Sequence, residues 1–411
     1  MLSDQGYDQT FNAPANDPYL AKTLRKQGEL LPNYYAVAQG DLANEIALIS
    51  GQGPTQETEA NCPTFTDVKP GKAGSEQQVI GNGCVYPSKT LTLTDQFTKA
   101  GDTWEAYVQD IGNGPHGQAT TCRHPTLGGV DGGQAVSRND PYVTWSNPFV
   151  YFQSIGKTAC EKDDGGLTQL AADLKSATTT PTFSYIVPSP CDDGSDQPCV
   201  PGAQSGLTPA DAFLRSVVPE IEASAAYKAD GLIAITFDQA PQTGPYADAS
   251  SCCDNPTQYP NLPTVATTPT TPTTPTTPTT PTTPTTPTTT ATSPVPPPYD
   301  IAPPSAASTT PTTTSAATTT TTTPTTTSTP TATTPASEQT GQTTPTGGGG
   351  EVGLLLISQY VKPNSTDTLD YFNHYSLLSS IENLFGLAHL GYARDPALPA
   401  FGKPQYNHYG G

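Results

Sequence analysis

The stretch "GLIAITFDQ", Gly231 to Gln239, decides the fold. Its apolar run is short, rich in β-branched residues, and bounded by Gly231 on one side and by an acid and an amide, Asp238 and Gln239, on the other. That is the pattern of a buried strand rather than of an amphipathic helix. The same form recurs in "TWEAYVQD" (103–110), "NPFVYFQSI" (147–155), "TFSYIVP" (182–188) and "EVGLLLIS" (351–358). Between these runs lie "DPYLAKTLRKQGELL" (17–31), "LTDQFTKAG" (93–101), "LTQLAADLKSA" (167–177) and "TPADAFLRSVVPEIEASAAY" (208–227), whose apolar residues recur at helical spacing. Alternating strand and helix predict an α/β fold with a mostly parallel sheet. In such sheets ligands gather at the carboxyl ends of the strands. The acids that follow the apolar runs are therefore the ones to inspect: Asp4, Asp110, Asp192, Asp193 and Asp238.

The chain has 411 residues and a net charge of −20, with Lys+Arg 17 against Asp+Glu 37. With no basic cluster along it, the chain's charge argues against nucleic acid and anionic membrane surfaces as electrostatic partners. No membrane span and no signal peptide are visible in the sequence. Cysteines stand at 62, 84, 122, 160, 191, 199, 252 and 253 without the spacing of a zinc site, and predict disulfides in an oxidising compartment, hence a secreted or cell-envelope protein. Cys191 with Cys199 is the one pairing that stands out. The opening "MLSDQGYD" reads as an apolar strand cut in its middle, which predicts an upstream half-strand and, before it, the export signal.

Residues 264–350 are almost entirely Thr, Pro, Ser, Ala and Gly. Proline at every third position stacks along one edge of a polyproline II helix and offers a core nothing. A stalk, an O-glycosylated spacer, a wall-spanning segment and a low-complexity loop without a partner all fit this composition. About 320 residues remain, which suit one large domain. The tail 351–411 holds one strand and one helix, too little to fold alone. Residues 1–263 and 351–411 are thus expected to form one monomeric domain interrupted by a long disordered insertion.

Hard divalent cations take carboxylate and amide oxygens, whereas zinc takes His and Cys. The acid–amide pairs Asp4-Gln5 and Asp238-Gln239, each at a strand end in a chain with five histidines, point to one ion, Ca, Mg or Mn rather than Zn. Acids at strand ends also serve as turn formers and caps. Asp41 precedes "LANEIALI", where Leu42, Ile46 and Ile49 share a helical face, so it suits an N-cap that accepts amide hydrogens. The same helix start attracts phosphate and would place a reacting group beside it. His374 stands just before a helix whose face is Leu377, Leu378, Ile381, Leu384 and Phe385 and which Gly386 ends. It either serves a phosphate oxygen or a proton, or is a buried helix-entry residue.

"NYYAVAQGDLANEIALISG" (33–51), "NPFVYFQSI", "PTFSYIVPSPCDDGSD" (181–196), "GLIAITFDQ", "GGGGEVGLLLISQYVKP" (347–363) and "DYFNHYSLLSSIENLFGLAHLGYARDP" (370–396) together resemble the bacterial phosphoesterase family of acid phosphatases and phospholipases C. That family belongs to the alkaline phosphatase superfamily, so the resemblance implies a three-layer α/β/α sandwich. It also implies metal-assisted phosphoryl transfer to a hydroxyl nucleophile, on phosphomonoesters or phospholipid head groups. The family's Glu-Asn pair is matched by Asp4-Gln5, and its later acid pair by Asp238-Gln239. Its nucleophile segment aligns with "QGDLANE", with Gln39 in place of a histidine and Asp41 in place of the serine. Ser195-Asp196 replace a His-Asp pair, Ser146 replaces the histidine before Asn-Pro-Phe, and Asn373 to Ser376 are kept. By this resemblance Asp41 acts at phosphorus, as nucleophile or as base for water, and Asn44, Asn373 and His374 hold the phosphate. With so many chemical positions replaced, the alternative is a pseudoenzyme, an exported binding or envelope protein in which Asp41 is only a helix cap.

Overall fold

The computed structural model describes residues 1–12, 17–114, 118–195, 198–253, 255–256, 258–263 and 347–408. The Thr/Pro segment 264–346, expected to be disordered, lies outside the described residues, as does Asp196. The described residues belong to one unit, Met1–Val265 with Thr343–Gly411.

The protein is a mixed α/β structure. Its principal strands are β1 (Glu29–Leu31), β2 (Trp104–Val108), β3 (Asp164–Gly166), β4 (Phe183–Val187), β5 (Leu232–Thr236), β6 (Leu354–Ser358) and β7 (Ser365–Thr366). They form two sheets, ordered β7-β1-β6-β5 and β3-β2-β4. The second sheet is parallel throughout. The first is not, which corrects the expectation of a mostly parallel sheet: β6 runs antiparallel to both β1 and β5, with Leu355 opposite Leu30 and Ile357 opposite Ile233. A strand buried on both faces reads as one continuous apolar run whichever way its neighbours point, so "LLLIS" carried no directional signal. At the join between the sheets, Leu2 bridges Phe237 in parallel and the Met1 amine donates to the Ile186 carbonyl at 2.9 Å.

Two further expectations are corrected. "NPFVYFQSI" is a 3-10 turn, Pro148–Tyr151, followed by a single bridge from Phe152 to Tyr86. Pro148 cannot donate to a ladder and its fixed φ suits a helical first turn. The rings of Phe149 and Tyr151 are buried all the same, Phe149 against Trp104 and Tyr185. "DPYLAKTLRKQGELL" forms only short turns at Tyr19–Thr23 and Leu24–Lys26 before it becomes β1. Position 28, between the last turn and β1, takes only glycine because any Cβ there would collide with the Leu356 carbonyl of β6.

The helices that matter for the site are α1 (Asp41–Ser50), α2 (Leu93–Ala100), α3 (Leu207–Ala223) and α4 (His374–Phe385). Every residue of α1 is buried, and Gly51 in the left-handed conformation ends it. Asn373 caps α4 through a reciprocal box with Ser376, and Gly386 closes it. The glycines before β6 belong to the body, so the insertion stops short of residue 350. Gly349 donates to Ala36 O at 3.2 Å and accepts from Ala240 N at 2.8 Å, an approach too close for any side chain. All eight cysteines are paired, as Cys62–Cys84, Cys122–Cys160, Cys191–Cys199 and Cys252–Cys253. Among the described residues no helix is long and apolar enough to cross a membrane.

Candidate metal centre

Pairing of Leu2 with Phe237 brings the two strand ends together, and with them Asp4 and Asp238. The Asp238 carboxylate accepts from Ser3 Oγ at 2.8 Å on Oδ2, and from the amides of Asp4 (3.1 Å) and Gln239 (2.5 Å) on Oδ1. Asp4 holds a positive φ of 56°, a conformation that Asp tolerates better than most residues. It is the most exposed of the acids here, while Asp238 is 2 % and Asp41 7 % exposed.

Asp41 is not an N-cap. Gly40 holds that position, without a side-chain cap, and Asp41 is the first residue of α1. Because this helix start is buried, the side chain turns into the protein. Its Oδ2 accepts from Asn61 Nδ2 at 2.6 Å and its Oδ1 from Gln239 Nε2 at 2.7 Å. The same Gln239 amide lies 3.1 Å from Asp4 Oδ1. One oxygen from each of Asp4, Asp41 and Asp238 lies within 4.8 Å of the other two.

Burial pushes the Asp41 and Asp238 carboxyls upward, and the neighbouring acids push Asp238 further. Glu45, Glu59 and Asp193 surround them, each raised by burial to about 7, with Asp41 adding to the effect. Among the described residues neither Asp41 nor Asp238 has a salt-bridge partner. Such a group of acids must hold protons or a cation to stay compact. It fits a hard cation in its donors, all carboxylate oxygens, and no two of the three lie farther apart than about twice a calcium–oxygen distance of ~2.4 Å. Gln239 Oε1 is buried without a partner among the described residues, one bond rotation from the three carboxylates.

The other expected site residues are engaged elsewhere. Gln5 is buried and its Nε2 donates to Gly194 O at 2.7 Å, facing the 193–195 loop. Asn44 cannot hold a substrate: Oδ1 accepts from Val37 N and Ala38 N, and Nδ2 donates to Ala38 O and Gly40 O. Asn373 is the α4 cap. His374, fully buried, lies between Tyr34 Oη at 2.9 Å and the Asp238 carbonyl at 2.7 Å, where it reaches no ligand, and burial lowers its pKa to about 4. Ser146 bonds to Val143 O, the Ser195 amide to Asp193, and the Gln39 amide to Glu59.

No family model and no curated protein matches the chain. Among solved structures it is similar to the crystal structure of Ps i-CgsB at 12% identity and a TM-score of 0.41, over 97% of this chain and 75% of that one. A likeness of this degree carries no argument about the site.

Sequence reading missed Ser3 and Asn61, the residues that hold Asp238 and Asp41. Ser3 had a signal, since it lies beside Asp4 on the expected strand end. Asn61 had none: it is fixed beside α1 by the short Gln56–Glu59 helix and by Cys62 bonded to Cys84, contacts that no spacing encodes.

Proposed function

We propose that this protein is a divalent-metal-dependent phosphoesterase with an alkaline-phosphatase-like three-layer α/β/α architecture, acting on phosphomonoesters or phospholipid head groups outside the cell. The observation that supports it is the convergence of Asp4, Asp41 and Asp238, with Gln239 among them, at the end of β5. The ion, when bound, would supply the positive charge that a phosphoryl oxygen needs and that no neighbouring side chain among the described residues provides. Asp41 and Asp238 would hold it, with Asn61 and Ser3 fixing those carboxylates through their second oxygens. Asp41 is thereby a ligand and not the attacking group. Asp4, the acid nearest solvent, would take a proton from the water that attacks phosphorus, and the oxygen that departs as the ester P–O bond breaks takes a proton from bulk water.

A second reading, an exported cation-binding protein without hydrolysis, is favoured by one observation. Both Asp41 oxygens are occupied, and His374, Asn44 and Asn373 are consumed by the fold. Metal analysis of the purified protein, with assays on p-nitrophenyl phosphate and p-nitrophenyl phosphorylcholine with and without added Ca, Mg or Mn, separates the two. Metal-dependent turnover that Asp238→Asn abolishes supports hydrolysis. Stoichiometric metal without turnover leaves the binding protein, and neither metal nor turnover overturns both.

A further inference from the structure

A cavity of about 560 Å³ is walled by Phe65, Leu127, Phe149 and Phe152 and by both residues of the Cys122–Cys160 disulfide. A volume of this order holds a small organic molecule. None of its lining residues belongs to the candidate metal centre. Cys122 is half-buried, whereas Cys160, on the helix Gly156–Asp163, is 5 % exposed. A molecule that enters the cavity from solvent therefore has the Cys122 sulfur as the more open of the two. Cys122 N donates to Asp164 O at 3.0 Å, which ties the disulfide to the first residue of β3.

A carboxyl group stands behind the inner sulfur. Asp164 Oδ2 lies 3.8 Å from Cys160 Sγ, and Asp164 is wholly buried, with Asn147 Nδ2 donating to its two oxygens at 3.0 and 2.9 Å. A disulfide sulfur has no hydrogen to give, so a hydrogen in this contact is the carboxyl's. Burial raises the Asp164 pKa to about 7, which leaves about half of these groups protonated at that pH. The sulfurs of Cys62, Cys84 and Cys252 lie instead against the carbonyls of Thr64, Thr66 and Phe372, which hold no proton. Two cations also line the cavity, Arg123 paired with Asp140 and Lys157 paired with Glu161. In a chain of net charge −20 they keep its wall close to neutral, so an entering thiolate meets no excess of like charge there.

We infer that this cavity is a thiol–disulfide exchange site for a small thiol with an apolar body, with Cys122 as the sulfur attacked, Cys160 as the sulfur released and Asp164 as the proton donor. The entering thiolate bonds to Cys122 Sγ, the Cys122–Cys160 bond breaks, and its electron pair leaves on Cys160 Sγ. The Asp164 carboxyl gives its proton to that sulfur. The products are a mixed disulfide on Cys122, a thiol on Cys160 and the Asp164 carboxylate. The entering sulfur is oxidised and the Cys160 sulfur reduced by the same electron pair, so no further reagent enters. A proton supplied to the departing sulfur makes it a better leaving group, as a lower thiol pKa does. The phenylalanine and leucine side chains of the wall select a thiol whose body is apolar.

The test incubates the 411-residue chain with 2-phenylethanethiol or with 2-mercaptoethanol at equal thiolate concentration, quenches with iodoacetamide and maps the adducts by peptide mass spectrometry. The first adduct is expected on Cys122, with Cys160 alkylated, and is expected to form at least about tenfold faster with the phenyl thiol. Ala119→Trp adds bulk at an exposed position of the cavity wall and is expected to slow that adduct about tenfold while the rate at Cys252–Cys253 stays unchanged. Asp164→Asn removes the proton donor, and its new amide can donate to Asn147 Oδ1, which is buried without a partner among the described residues. This variant is expected to melt no lower than the parent and to form the adduct at least about tenfold more slowly. A first adduct on Cys160, equal rates for the two thiols, or an Asp164→Asn chain that melts as the parent does and reacts as fast overturns the inference. Should either variant fail to fold, the position of the first adduct and the ratio of the two thiols on the parent chain decide it.

Discussion

Gln239 Nε2 lies 2.7 Å from Asp41 Oδ1 and 3.1 Å from Asp4 Oδ1, so a single amide holds the end of the first strand segment against the start of α1. Rotation of that amide by half a turn exchanges its NH₂ for an oxygen without changing its shape. In the proton-loaded cluster the NH₂ faces the carboxylates. Around a cation the oxygen would face the same point, and Gln239 would become a further oxygen donor.

Asp41→Asn follows from this arrangement. The substitution removes a carboxylate whose charged form burial already disfavours, so the metal-free protein is expected to melt at an unchanged or higher temperature at pH 8. Affinity for a divalent cation is expected to fall at least about tenfold, since one of the two carboxylates that would hold the ion is gone. Calorimetric titration with calcium and manganese, beside a thermal melt, measures both. Unchanged affinity would remove Asp41 from the ligand set.

Asn44 is expected to matter for stability and not for turnover. Its side chain fixes the turn before α1 through Val37, Ala38 and Gly40, with no exposure to solvent. Asn44→Ala leaves buried amides and carbonyls without partners and is expected to cost on the order of 3 kcal/mol. Urea unfolding with an unchanged m-value checks it. A loss below about 1 kcal/mol would mean that water replaces the amide.

Residues that act within their own element were legible in the sequence. Gly51 and Gly386 end their helices, and β2, β4, β5 and β6 formed where short apolar runs stand between turn residues. Asp4 and Asp238 were legible as strand-end acids, because position along a strand already places them near an edge. What failed depends on partners far away in the chain. Asp41 reads as a cap until Gln239 and Asn61 are beside it, and Asn44 reads as a free amide until the turn at 37–40 folds back over it. His374 fails for the same reason, since Tyr34 and the Asp238 carbonyl seal it from both sides.

Glu382, buried in α4, accepts from Leu390 N at 3.0 Å, and burial raises its pKa from 4.5 to about 8. The folded chain therefore keeps a proton that the unfolded chain releases. Stability from this group is full below about pH 4.5 and is lost as pH climbs toward 8, by at most about 1.4 kcal/mol per unit. Glu382→Gln keeps an oxygen for Leu390 and cannot ionise. It is expected to flatten the decline, leaving the variant more stable than the parent at pH 8 and no more stable at pH 4.5. Urea midpoints across that range decide it, and parallel curves would show that the carboxyl is not protonated in the fold.

His374 yields the last prediction, because its partners dictate its tautomer. The Asp238 carbonyl 2.7 Å from Nε2 can only accept, so Nε2 carries the hydrogen. In the neutral ring Nδ1 must then accept, and the Tyr34 hydroxyl at 2.9 Å is its donor. With its pKa lowered by burial to about 4, the folded state binds fewer protons here than the unfolded one. Stability from this group is full above about pH 6.5 and is lost as pH falls toward 4, opposite in sign to Glu382. Nitrogen-15 spectra of the imidazole are expected to show the Nε2–H form alone from pH 8 down to about 5. Tyr34→Phe is expected to leave Nδ1 an orphaned buried acceptor and to cost about 1–3 kcal/mol without altering the tautomer. An Nδ1–H ring, or protonation near pH 6.5, would mean that the histidine is open to solvent and would return it to the list of groups able to meet a phosphate.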